Sequence, residues 1–155
     1  MNKTILLVED NPNDEKLTLM AFEKNNFHCD VVVARDGAEA LDYLYGTGKY
    51  QGRDLSVIPA VILLDLRLPK INGLEVLKQM RSHWRTKLIP VVMLTSSREE
   101  EDLVQGYTHG ANSYIYKPID FTKFMETAKQ MGLYWLFVNE PPSPAPKEKE
   151  EEPGS

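Results

Sequence analysis

The stretch Ala60-Val61-Ile62-Leu63-Leu64-Asp65-Leu66-Arg67-Leu68-Pro69 decides the fold of this 155-residue chain. Its apolar run over 60–64 has strand length and no polar alternation. A strand of that kind is covered on both faces, as in a parallel sheet flanked by helices. Asp65 stands at the carboxyl end of the run, where a buried strand opens onto the surface.

Similar runs lie on either side. In chain order the strands are expected at 5–8 (β1), 31–34 (β2), 60–64 (β3), 89–94 (β4) and 113–116 (β5). Helical periodicity fills the intervals. The first helix, α1, opens near Pro12, tolerated in a first helical turn, and carries Leu17, Met20, Ala21 and Lys24. Asp36 caps α2, which carries Ala40, Leu41 and Leu44. Asn72 precedes α3, with Leu74, Leu77, Met80 and Arg81. The expected α4 spans 98–109 and ends at Gly110, a suitable C-cap. Asp120 caps α5, which starts at Phe121. Strands alternating with helices, joined by right-handed crossovers, predict an α/β protein with a doubly wound five-stranded parallel sheet and five helices. Its binding crevice lies outside the carboxyl ends of the strands.

Those ends carry chemistry. Glu9 and Asp10 follow β1, Asp65 follows β3, Thr95 ends β4 before Ser96 and Ser97, and Lys117 ends β5 before Pro118. Three carboxylates close together repel unless a cation joins them, and an all-oxygen site suits Mg²⁺. A carboxylate beside such an ion can act as a nucleophile and form an aspartyl phosphate. Lys117 can then neutralise phosphoryl charge, and the Thr95 hydroxyl can donate to a phosphoryl oxygen.

Composition narrows the classes. The net charge of −5 gives no electrostatic footprint for nucleic acid or anionic lipid. The single cysteine, Cys29, excludes an intramolecular disulfide. No apolar run approaches membrane-spanning length, so a cytoplasmic protein is expected. Residues 140–155 hold half of the prolines and five acidic residues against two lysines. That composition is expected to form an acidic flexible tail after a domain over 1–139, with no output domain.

The segments Leu7-Val8-Glu9-Asp10-Asn11, Leu63-Leu64-Asp65-Leu66-Arg67-Leu68-Pro69, Asn72-Gly73-Leu74-Glu75, Leu94-Thr95-Ser96-Ser97 and Tyr114-Ile115-Tyr116-Lys117-Pro118 resemble the receiver domain of two-component response regulators. The resemblance implies a flavodoxin-like sheet in the order 2-1-3-4-5. It implies that Asp65 accepts a phosphoryl group from a sensor histidine kinase in a Mg²⁺-dependent reaction, the protein catalysing only its own phosphorylation and dephosphorylation. Asp10, Asp65 and the Arg67 carbonyl would be metal ligands, with Glu9 holding a metal-bound water in place of the commoner aspartate. Lys117 would bridge the phosphoryl group through a cis Lys117-Pro118 junction, and Arg67 and Ser97 would border it. Thr95 and Tyr114 would form a switch pair acting on an α4-β5-α5 surface that binds a downstream protein. Single-domain receivers with a long α2–β3 loop and an aromatic α5 are similar to those paired with phytochrome-type kinases.

Other readings compete. A flavodoxin-like FMN protein would need phosphate donors after β1, where Glu9 and Asp10 repel phosphate. A metal-dependent phosphatase would need a general acid near Asp65, which Arg67 cannot be. Gly46-Thr47-Gly48-Lys49 lacks the following Ser or Thr of a phosphate loop and reads as a plain loop. His28, His83 and His109 have no ligand spacing, and Trp84 and Cys29 read as packing residues. Beyond Phe121, residues 131–138 are hydrophobic at all but Gly132. A helix apolar all round is buried on several sides, so a homodimer through α5, with β5 and α4, is expected.

Overall fold

The computed structural model describes residues 3–26, 29–95, 109–116 and 121–132. Five strands, Lys3–Val8, Cys29–Ala34, Val61–Asp65, Val91–Thr95 and Ser113–Tyr116, form one sheet in the order β2-β1-β3-β4-β5. Every neighbouring pair is parallel. The expected doubly wound arrangement is therefore observed. Four helices lie among the described residues: α1 (Pro12–Lys24), α2 (Gly37–Tyr45), α3 (Gly73–Arg81) and α5 (Phe121–Gly132). The helix expected over 98–109 lies outside the described residues except for His109, which sits in a turn. Residues 133–155, including the expected tail, also lie outside them.

The register places the chemistry. In β1, Leu6 and Val8 face one core cluster with α2 and α3, while Ile5 and Leu7 face another with α1 and α5. Period-two alternation explains this split, since an apolar strand serves two layers at once. The central strands β3 and β4 are buried throughout, whereas the edge strand β2 is largely half-buried. Boundaries differ slightly from the sequence reading. Asp65 is the last residue of β3 rather than the residue after it, and β4 is Val91–Thr95, starting two residues later than the apolar run and ending, as expected, at Thr95. β2 starts at Cys29, two residues early.

Helix entry is fixed by side chains that accept otherwise orphaned N–H groups. Asn11 accepts from Asn13 and Asp14, Asp36 from Glu39, and Asn72 from Glu75. α2 ends at Gly46 in the left-handed region, φ 68°, where a glycine carries no Cβ penalty. The connection from α2 to β3 holds one short 3-10 helix, Gly48–Tyr50. Arg53 ties it down by donating to the carbonyls of Tyr43, Asp54 and Val57 and lying 4.0 Å over the Tyr43 ring. Lys49 pairs with Glu39 at 2.9 Å. Among the described residues no helix is long and apolar enough to cross a membrane.

Candidate functional site

β1 and β3 are adjacent, so their carboxyl ends open side by side. Glu9 leaves β1 with its N–H donated to Ala34 of β2 at 2.9 Å, which keeps it in line with the sheet. Its side chain is fully buried and accepts from the Asn11 N–H at 3.3 Å. Asp10, the next residue, is exposed. Asp65 is 6% exposed, and its Oδ1 accepts from the Arg67 N–H at 3.3 Å. One carboxylate oxygen from each of Glu9, Asp10 and Asp65 lies within 4.8 Å of the others.

Three carboxylates at that separation, two of them shielded from water, repel strongly in their charged forms. An all-oxygen donor set of this kind fits a hard divalent cation of the Mg²⁺ class, which needs few protein ligands and keeps waters. The exposure of Asp10 leaves an approach open to solvent. The residues present therefore fit the metal that the sequence implies.

Beside the acidic group lies a cleft of about 430 Å³, lined by Asp10, Leu66, Arg67, Leu68, Pro69, Asn72 and Leu74. Its floor is the β3–α3 loop, and close packing fixes that loop. The Gly73 N–H donates to the Leu66 carbonyl at 2.9 Å, and a Cβ at Gly73 would overlap the Asp65 carbonyl oxygen. On the far side, Gly37 leaves room for the Ile71 carbonyl. Lys70, with φ 66°, reaches Asp36 at 3.4 Å. The Glu39 N–H donated to Asp36 holds its carboxyl below the usual range, with Lys70 adding to the effect. Burial pushes the Glu39 carboxyl up, but the Lys49 ammonium and the Arg35 N–H together bring it below its ordinary value.

The predicted residues are thus brought together in part. Glu9, Asp10 and Asp65 converge, and Arg67 lines the adjoining cleft. Thr95 ends β4 buried, one strand away from Asp65. Tyr114 lies on β5 opposite Met93 and packs, half-buried, against the core on the α2–α3 side. Lys117, Pro118, Ser96 and Ser97 lie outside the described residues. The apolar cleft wall of Leu68 and Leu74, and the close approach at Gly73, were not singled out from sequence. Leu74 read only as a core position, and Gly73 only as part of a motif.

A family model described as the response regulator receiver domain matches residues 5–129. The probable methanogenesis regulatory protein FilR2 of Methanothrix harundinacea is 43% identical over 141 residues, covering 91% of this chain and 88% of its own length. Response regulator Rcp1 of Synechocystis sp. is 34% identical over 134 residues, 86% of this chain and 89% of that one. The Mn(2+)-bound form of Rcp1 superposes with a TM-score of 0.81 over 91% of this chain and 99% of that chain, at 33% identity. The phosphorylated cyanobacterial phytochrome response regulator RcpA superposes with a TM-score of 0.83 at 38% identity, covering 92% of this chain and all of that one.

Proposed function

The chain belongs to the response regulator receiver family, and on that premise we propose that it accepts a phosphoryl group on Asp65 from a sensor histidine kinase. The observation that carries the assignment is the approach of Glu9, Asp10 and Asp65 to within 4.8 Å at the carboxyl ends of β1 and β3. A carboxylate of Asp65 attacks the phosphorus of a phosphohistidine. The new O–P bond forms as the N–P bond breaks, and the imidazole leaves with the electron pair of that bond. Lys117 and the Thr95 hydroxyl donate to the phosphoryl oxygens. A bound Mg²⁺ would supply charge neutralisation, held by Asp10, Asp65 and the Arg67 carbonyl with Glu9 in support. The Mn(2+)-bound form of Rcp1 and the phosphorylated form of RcpA support this reading by likeness.

The protein turns over no separate substrate; it catalyses only its own phosphorylation and dephosphorylation, on the cytoplasmic side where a kinase can reach it. Phosphoryl oxygens draw the Thr95 hydroxyl inward and free space for the Tyr114 ring, giving the α4-β5-α5 face two arrangements. The partners are a histidine kinase, of phytochrome type by likeness to RcpA, a downstream protein, and a second copy through α5. The FMN alternative is disfavoured by the same carboxylates, which stand where a flavin phosphate would need donors.

Acetyl phosphate with Mg²⁺ tests the assignment. Intact-protein mass spectrometry is expected to find one added phosphoryl group on the wild type and none on Asp65→Asn. A single modification retained by that variant would overturn it.

A further inference from the structure

Arg81, the last residue of α3, has an environment that the phosphoryl-transfer reading does not use. Its Nε donates to the Gly110 carbonyl at 3.1 Å, and its Nη2 to the same oxygen at 2.9 Å and to Asn112 Oδ1 at 3.4 Å. Its Nη1 donates to the carbonyls of Thr86, Lys87 and Ile89 at 3.4, 3.1 and 2.7 Å. Every nitrogen of the guanidinium is engaged, and these partners are carbonyl and amide oxygens rather than carboxylates. Its desolvation is enough to lower the pKa from the ordinary arginine value. The planar guanidinium presents five donors in a fixed fork, so one side chain can bind carbonyls from two segments at once.

The segments joined are the α3–β4 connection and the entry to β5. Asn112 completes the clip. Its N–H donates to the Val91 carbonyl, and its Oδ1 accepts from the Val91 N–H, both at 2.8 Å. This reciprocal pair sits one residue before β5 and sets its register on β4, with Met93 opposite Tyr114 and Thr95 opposite Tyr116. Gly110 has φ 99°, and a Cβ there would lie 2.8 Å from Arg81 Nε, so the turn is shaped around the guanidinium.

We infer that Arg81 is a positioning residue for the switch, holding the amino end of β5 through Gly110 and Asn112 so that Tyr114 stands in fixed relation to Thr95. The inference rests on the proposed phosphorylation of Asp65 and the switch pair. It assigns the switch a fixed end, at the amino ends of β4 and β5, opposite the carboxyl ends of the strands where the phosphoacceptor lies. Arg81 touches neither donor nor metal ligands, so it acts on the response and not on the chemistry.

The test uses the full chain with ring-labelled tyrosines, the Tyr114 signal being assigned with Tyr114→Phe. Phosphoryl uptake from acetyl phosphate and Mg²⁺ is read by mass, and the ratio of the two Tyr114 ring positions by NMR. Arg81→Lys keeps the charge but not the fork. It is expected to take up phosphoryl groups at the wild-type level while its phosphorylation-induced change in that ratio falls by a factor of about 2 to 30. Asn112→Leu is expected to give the same loss, and Asn112→Asp, which keeps the accepting oxygen, to respond as wild type. A purely structural role would lower the melting temperature and leave the ratio change intact, which would overturn the inference. So would a wild-type response in Asn112→Leu, which keeps the question answerable if Arg81→Lys does not fold. Wild-type protein that is phosphorylated with no response at Tyr114 would overturn the inference and the switch, but not the phosphoacceptor. Absence of phosphorylation in the wild type would overturn the underlying assignment.

Discussion

Asp65 is decisive because of what surrounds it. It ends a strand buried along its whole length, and two further carboxylates from the end of β1 share its space. All three were legible in the sequence, because an acid directly after an apolar run marks the carboxyl end of a strand, although Glu9 and Asp65 are themselves buried there. Their mutual approach was expected from the crevice at the carboxyl ends of a parallel sheet, and it is realised because β1 and β3 are neighbours. Mutual repulsion in the metal-free protein should be relieved by removing one charge. Asp10→Asn or Asp65→Asn is therefore expected to stabilise the metal-free fold by about 1–2 kcal/mol and to lose the gain on adding Mg²⁺. Thermal unfolding with and without Mg²⁺ decides; two variants less stable than wild type would contradict the account.

The loop between β3 and α3 and the start of α2 act as one structural piece. The sequence marked both helix starts through Asp36 and Asn72, since capping chemistry is local. It did not reveal that Gly37 and Gly73 pack against backbone from elsewhere, because close approach leaves no trace in composition. Gly73→Ala would force the α3 start away from the Asp65 peptide. A loss of about 1–3 kcal/mol is expected, with slower phosphoryl uptake at an unchanged final level. Chemical denaturation and a time course would measure the two; unaltered stability and rate would argue against the contact. The edge strand β2 was read as too short because Cys29 and Asp30 break the apolar run, although ladder bonds to β1 extend it. The same region carries a pH dependence. Asp36 and Glu39 both have lowered values in the folded state, so their contribution is present above the unfolded carboxylate range and fades as pH falls through the folded values. Stability is expected to drop on acidification below about pH 4, more shallowly in Asp36→Asn. Urea curves between neutral and acid pH test this, and equal slopes for the two proteins would contradict it.

At the scale of the molecule, parallel topology follows from strands apolar throughout, and the expected sheet order is the observed one. What a helix presents to a second copy is harder to read, because apolar residues toward the sheet and toward a partner look alike in sequence. In α5, Met125 packs against the core with Leu19 and Ile115, and its carbonyl accepts from the side chain of Asn25, the residue that follows α1, at 3.2 Å. The apolar residues after Gly132 lie beyond the described helix. Self-association through α5 is expected at micromolar concentration and should weaken in Trp135→Glu. Sedimentation would detect it, and a monomer in every condition would refute it. The central claim remains the identity of the phosphoacceptor, and borohydride reduction tests it most directly. An acyl phosphate is reduced to an alcohol, so wild-type protein treated with acetyl phosphate and Mg²⁺ should yield homoserine at position 65 on peptide mapping. Homoserine at position 10 or 5-hydroxynorvaline at position 9 instead, or phosphoryl label on a residue that borohydride leaves unchanged, would contradict it.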